Sequence, residues 1–233
     1  RWVRYEDEPI PIELVASAGE DRPGEFRASL FNRGKAGLGD APEVEGVVVF
    51  ADERTPAPPT TTPSLAAPEV SRFDARSMYE EQWLFHGPAM QAVVDVGMVD
   101  DGGIDGVIRV LPRRGLYRDA SAPRPWSDPI VLDSFTHLLG LWGLERLTEG
   151  DVVFPLSLGA LDVFGDDPPE GADCRCLIRV KGLDRHRLMV DAEILRPDGR
   201  VWMRLRDWED WRFHWPARYR DAFRLPEHVL LGE

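Results

Sequence analysis

The sequence predicts an α+β fold in which a curved antiparallel sheet wraps one long central helix. Three observations carry that expectation. Residues 128–147, DPIVLDSFTHLLGLWGLERL, form one long stretch with apolar residues on nearly every side of a helix. Four later segments, LGALDVFG, ADCRCLIRVKGL, RLMVDAEILRPDG and RVWMRLRDWEDWRF, read as long strands. A flat sheet could cover only one side of such a helix, so the strands must curl around it.

Each element has its own local reason. Residues 1–55 hold three short β-rich runs, IPIELVASA, GEFRASLF and VEGVVVFA, broken by Gly, Pro and Asp and without helical periodicity. Three such strands have too little core to stand alone, so they are expected to join the larger sheet or to need an upstream segment. Residues 56–72 begin PAPPTTTPSLAAPE and read as an extended Pro/Thr-rich linker. Residues 73–233 form the main unit, ending in a surface tail. Within it, QAVVDVGMV and GIDGVIRVL flank a DDG hairpin signal. Asp128 suits an N-cap, Pro129 the first helical position, and TEGD ends the run. PDG makes a tight turn between the last two strands. A curled sheet gripping a central helix is the hotdog fold, complete here in the C-terminal part and partial in the N-terminal part.

Composition narrows the function. With 233 residues, 43% hydrophobic, eight Trp and ten Phe, the chain can bury a sizeable core. A formal net charge of −13 argues against a nucleic-acid partner. No run is long and apolar enough for a membrane span, and no signal-peptide pattern opens the chain. The start RWVRYEDEPI lacks Met, which is expected of a piece of a larger protein. Cys174 and Cys176, in C-x-C spacing without further ligands nearby, read as two core thiols on one strand face. A reducing, cytoplasmic location follows as the expectation.

Two constellations could carry chemistry. Asp133 and His137 are four residues apart and leave one helical face. A carboxyl held against apolar walls favours its neutral form and can donate a proton near neutrality. The same spacing also fits a solvated stripe on a partly exposed helix. In the second, YEEQWLFHGPAMQ, His86-Gly87-Pro88 precedes a strand. A kink there could aim the Gly87 N–H at a carbonyl oxygen, or simply be a rigid strand entry. FPLSLGALDV, with Pro155 and Gly159, could line a pocket. WEDWRFHW reads as packing of an outer strand, with Asp207, Glu209 and Asp210 as solvated charges. His186 falls in a hairpin loop, and His214 and His228 lack a partner pattern.

Taken in order, three of these segments resemble the dehydratase domains of polyketide synthases. FHGPAMQ is similar to the family's Gly-Pro-x-Phe-Gln segment, VLDSFTH to its D-x-x-x-Q/H helix motif, and FPLSLGALDV to its Leu-Pro-x-Ser segment. The match runs over residues 73–215 and corresponds to the second hotdog of a double-hotdog domain. Residues 1–52 resemble later strands of the first.

The resemblance implies removal of water from a β-hydroxyacyl chain carried on the phosphopantetheine of an acyl carrier protein, with no metal and no diffusible cofactor. It makes Asp133 the acid and His137 the residue that positions it or the departing hydroxyl. His86, Gly87, Pro88, Met90, Gln91, Phe154, Pro155 and Leu156 become substrate-binding, with the Gly87 backbone near the thioester carbonyl. Met90 stands where Phe is usual, and His86 where Tyr is frequent. The family's base lies in an H-x-x-x-G-x-x-x-x-P motif, which none of the five histidines begins. This stretch alone is therefore expected to be inactive, its base and the first hotdog's helix lying elsewhere. The alternatives are a non-catalytic, acyl-docking hotdog and a product-template-like cyclisation domain. Expected partners are an acyl carrier protein, met by Arg113 and Arg114, the neighbouring synthase domains and a second copy in a homodimer.

Overall fold

The computed structural model describes residues 11–19, 23–33, 41–114, 116, 125–216 and 224. The chain divides into two units, Arg1–Arg54 and Thr55–Glu233. The first is a three-stranded antiparallel sheet of β1 (Ile12–Ala18), β2 (Glu25–Asn32) and β3 (Val44–Val49), in that order. Its strands alternate small, polar and β-branched residues, and Leu14, Val44 and Val47 are exposed.

The second unit contains β4 (Glu69–Val70), α1 (Ala75–Glu80), β5 (Val93–Asp100), β6 (Gly103–Arg109), α2 (Pro129–Arg146), β7 (Asp151–Val163), β8 (Asp173–Leu183), β9 (Arg187–Leu195) and β10 (Val201–His214). The strands form one antiparallel sheet in the order β4-β5-β6-β8-β9-β10-β7. The hotdog fold expected from the sequence is what the chain adopts.

Helix α2 begins where its sequence says it should. The Asp128 carboxylate accepts from Ile130 N–H at 3.0 Å and Val131 N–H at 3.2 Å, and Pro129 occupies the first turn without wasting a donor. No residue of the helix is exposed. Ile130, Phe135, Leu138, Leu141 and Trp142 are fully or almost fully buried against Val96, Ile104, Ile108, Ile178 and Val190 of the sheet. Removing each such side chain from water is worth roughly 1.5–3 kcal/mol, which makes this helix the organiser of the core. The indole of Trp142 donates to the Asp100 carbonyl at 2.9 Å and pins the helix to the β5–β6 hairpin.

The sheet curls through specific irregularities. At Gly97 in β5 the backbone takes φ 69° and the register with β6 shifts. In β10, Asp207 takes φ 53° inside another register break. Such bulges bend a strand and increase its twist, which a sheet needs to close over a helix. Gly106 on β6 removes the last obstacle: a Cβ there would lie 2.7 Å from Leu138 Cδ2.

The Pro/Thr-rich stretch is held against the sheet by hydrogen bonds. The backbone N–H groups of Thr61 and Thr62 donate to Glu193, the Arg179 guanidinium donates to the Pro63 carbonyl, and Val201 N–H donates to Pro58. Glu193, a carboxylate in mid-strand, needs those donors because it is only 2% exposed. Strand β10, expected on the outside, lies between β9 and β7, and β7 is the edge. Cys174 and Cys176 are free and fully buried on β8, as their spacing indicated. The tail from residue 217, with His228, lies outside the described residues except for Arg224.

Candidate active site

Four side chains from three places meet at the middle of α2. Helix α1 supplies Tyr79, the loop before β5 supplies His86, and α2 supplies Asp133 and His137. Helix α1 is short but firmly started: Asp74 accepts from the Arg76 and Ser77 N–H groups in a capping box. That cap fixes the one helical turn on which Tyr79 stands.

His137 is completely buried and bonded at both ring nitrogens. Its Nε2 is 3.0 Å from Asp133 Oδ2, and its Nδ1 is 3.0 Å from the Tyr79 hydroxyl. The Tyr79 oxygen also accepts the Val93 N–H at 3.3 Å. With its oxygen already receiving a backbone proton, the hydroxyl is set to donate to Nδ1. The imidazole proton then resides on Nε2 and points at Asp133. Burial pushes the Tyr79 phenol up to about 12, so it stays a neutral donor.

His86 stands on the other side of the same carboxylate oxygen, its Nε2 3.5 Å from Asp133 Oδ2. Its ring is sandwiched between Phe85, with centroids 4.4 Å apart, and His137, with centroids 3.9 Å apart. The Gln91 amide donates to the His86 carbonyl at 2.8 Å and holds the loop in this position. Burial lowers the His86 pKa, the neighbouring His137 lowers it further, and Asp133 opposes them.

The dry apolar pocket envisaged around Asp133 takes a different form. Its side chain is 31% exposed, and its named neighbours are two imidazoles rather than hydrocarbon walls. It sits on the rim of the buried cluster, with His137 beneath it.

The other expected site residues are placed as follows. Gly87 has ordinary extended backbone, φ −73° and ψ 169°, so no kink depends on its being glycine. Nothing lies within 4 Å of where its Cβ would be, which leaves open space beside the peptide. Pro88 to Met90 form a single 3-10 turn. Met90 packs partly against the core, and its carbonyl lies 3.5 Å from the Ser134 hydroxyl. Phe154, Pro155 and Leu156 lie on β7, the edge strand opposite β4 in the sheet order, with Phe154 stacked on Phe213 and Leu156 exposed.

Arg113 is committed elsewhere: its guanidinium contacts the buried Asp128 carboxylate at 2.8 Å and Asp167 at 3.4 Å, stabilising the start of α2. Arg114 is exposed. Asp210, read from sequence as a solvated charge, is 3% exposed and accepts from Trp208 Nε1 at 2.7 Å. Burial pushes its carboxyl up to about 6, with the indole hydrogen bond opposing. Glu209 pairs with Arg187 at 2.8 Å, and His214 contacts Asp151 at 3.3 Å.

Among the described residues, His86, Asp133 and His137 are also the one group whose ligand atoms, all within 4.8 Å of one another, could surround a metal ion. The same atoms are placed for proton transfer: His137 Nε2 and His86 Nε2 lie 3.0 and 3.5 Å from one oxygen of Asp133. Tyr79 is the member that sequence reading missed. The signal available was the Asp74–Ser77 cap spacing, which sets a helical turn under Tyr79.

The family model described as polyketide synthase dehydratase N-terminal domain matches residues 53–212. That description names the N-terminal part of the family's fold, whereas the resemblance read from the sequence leads residues 73–215 to be expected in its second hotdog. No curated protein matches the chain. Among solved structures, the dehydratase domain of PpsC from Mycobacterium tuberculosis, in complex with C12:1-CoA, is similar with 18% identity and a TM-score of 0.60, over 87% of this chain and 68% of that one. The dehydratase domain from the CurH module of curacin polyketide synthase is similar with 16% identity and a TM-score of 0.60, over 92% and 71%. The dehydratase domain of RzxB from Pseudomonas fluorescens gives 14% identity and a TM-score of 0.56, over 85% and 67%. At such identities the likeness is one of fold.

Proposed function

Because the chain belongs to the polyketide synthase dehydratase family, we propose that it eliminates water from a β-hydroxyacyl thioester to give the enoyl thioester, with the acyl chain carried on the phosphopantetheine arm of an acyl carrier protein. The observation that supports this best is the carboxyl of Asp133, presented at the rim of a buried cluster and braced from below by His137.

Elimination needs a proton for the departing hydroxyl, because hydroxide is a poor leaving group. Asp133 supplies it. The Tyr79–His137 relay fixes the carboxyl by donating to Oδ2, leaving the other oxygen to meet the substrate. Gly87 has the open space a thioester would require, and its N–H is available to polarise the carbonyl. Pro88, Met90 and Gln91 frame that space through the 3-10 turn, and Phe154, Pro155 and Leu156 serve the acyl chain further along. The side chains named here need no metal or diffusible cofactor for this reaction.

The test is direct. Because this stretch alone is expected to be inactive for want of the family's base, the protein that carries it together with an H-x-x-x-G-x-x-x-x-P segment is incubated with a β-hydroxyacyl pantetheine thioester and with the same group on a carrier protein, and loss of water is followed by mass spectrometry. Wild type forms the enoyl product, and Asp133→Asn does not. Tight binding of the thioester with no enoyl product from wild type would instead identify an acyl-docking hotdog, and ring closure of a poly-β-keto chain a cyclisation domain.

A further inference from the structure

Two imidazoles and a carboxylate converge at the rim of α2. His137 Nε2 and His86 Nε2 lie 3.0 and 3.5 Å from Asp133 Oδ2, and ligand atoms of the three residues all lie within 4.8 Å of one another. We propose that His86, Asp133 and His137 form a binding site for a divalent transition ion of the zinc class.

The separations are close to those that such an ion imposes. Zinc holds nitrogen and oxygen ligands at about 2.0–2.2 Å, so neighbouring donors of a tetrahedral site stand about 3.3 Å apart. The two nitrogen–oxygen edges of the cluster bracket that length. The edge between the imidazoles has to adjust. Two imidazoles on one tetrahedral ion have centroids about 5 Å apart, against 3.9 Å here. A pivot of the His86 ring about its Nε2 supplies the difference. That ring can turn without breaking a hydrogen bond, because its Nδ1 is buried with no partner and its Nε2 stands too far from Asp133 for one. Phe85, stacked on its other face, is 77% exposed and can give way.

The state of each group also calls for a cation. A partly buried imidazole with neither nitrogen hydrogen-bonded is the kind of unsatisfied polar group that a bound ion explains. Among the described residues, no Lys or Arg pairs with the Asp133 carboxylate. His137 is already braced as metal-bound imidazoles are, with its far nitrogen on the Tyr79 hydroxyl. On binding, Asp133 releases its carboxyl proton to water. The His137 proton moves from Nε2 to Nδ1, where the Tyr79 oxygen can accept it. Side-chain exposure of 31% at Asp133 and 17% at His86 leaves a fourth position open to solvent. Two nitrogens and one carboxylate suit zinc, cobalt or nickel, whereas magnesium and calcium take oxygen ligands.

One consequence rests on the dehydratase function proposed above. An ion on Asp133 keeps that carboxyl ionised, so it cannot hand a proton to a departing hydroxyl, and the bound ion is an inhibitor.

The test titrates the full chain, stripped with a chelator, with Co²⁺, whose visible absorption reports its coordination, and then displaces it with Zn²⁺. Wild type should take up a single equivalent with the absorption of a low-coordinate site and lose that absorption to Zn²⁺. His86→Ala and Asp133→Asn, each checked for its fold by circular dichroism, should each bind about 10²-fold more weakly or worse, since loss of an outer partner alone costs roughly 10- to 100-fold. Two variants at separate ligands keep the test decisive should one fail to fold. His214→Ala removes the histidine that contacts Asp151, away from the cluster, and should bind as wild type does. No uptake by wild type, or equal affinity in wild type, His86→Ala and Asp133→Asn, would mean an adventitious ion only and would overturn the site. Zn²⁺ should also slow dehydration by the protein used in the test above, and a chelator should restore it. An undiminished rate with the ion bound would overturn the inhibition, whereas absence of dehydration before any metal is added would count against the dehydratase reading and leave the site standing.

Discussion

His137 and Asp133 meet at 3.0 Å one helical turn apart, the imidazole fully buried and the carboxyl at the rim. A charged or strongly polar pair in the middle of a core helix costs stability unless every partner is satisfied. Here the pair is satisfied through Tyr79, whose hydroxyl joins His137 to the backbone of β5. The carboxylate thus stands at the end of a chain of hydrogen bonds that starts at a strand.

That chain predicts the behaviour of Tyr79→Phe. Removing the hydroxyl leaves the Val93 N–H and His137 Nδ1 without their partner, at an expected cost of roughly 1–3 kcal/mol. Urea denaturation checks this. Dehydration should slow about tenfold, because His137 loses the contact that sets its tautomer.

His137→Gln separates positioning from packing. The amide can still donate to Asp133, so activity should fall by no more than about tenfold, whereas His137→Ala should lose roughly 10²-fold. Steady-state rates with a soluble β-hydroxyacyl thioester distinguish the two.

Asp210 predicts a pH dependence of stability away from the site. Its folded-state pKa of about 6 lies above its ordinary 3.8. Between those values the folded chain keeps a proton that the unfolded chain has lost. The contribution is fully present below pH 3.8 and is lost as pH rises to about 6, a change of about 3 kcal/mol. Asp210→Asn keeps an oxygen for the Trp208 indole and cannot ionise. Its unfolding midpoint should therefore exceed that of wild type at neutral pH, and the difference should shrink on acidification.

Gly106→Ala tests the contact that lets α2 lie on the sheet. The added Cβ would meet Leu138 Cδ2 at 2.7 Å and the Asp95 carbonyl at 2.9 Å. Backbone cannot yield as a side chain can, so a loss of about 1–3 kcal/mol is expected in chemical denaturation.

What the sequence made legible was local. The cap at Asp128–Pro129, the hairpin at Asp101–Gly102 and the turn at Pro197–Gly199 each sit within a few residues, and all three form where the chain chemistry puts them. The Asp133–His137 pair was visible for the same reason, four residues apart on one helix. The approach of His86 and Tyr79 was not, because it depends on how the segment before β5 packs against a helix some fifty residues later. Asp210 looked solvated among Asp207 and Glu209, since burial there depends on a register break that one strand cannot reveal. Likewise the position of β7 outside β10 is a long-range pairing, and the threonines of the Pro/Thr-rich stretch find Glu193 only once the sheet exists.

The central claim is that Asp133 exchanges a proton with an oxygen on the acyl chain. An elimination runs backwards through the same groups, so the most direct measurement supplies the enoyl thioester in water labelled with heavy oxygen. The account predicts that wild type places the label on the β-carbon as a hydroxyl and that Asp133→Asn, with its fold intact by circular dichroism, places none. Equal labelling by the two proteins, or none by a wild type that binds the thioester, would contradict it.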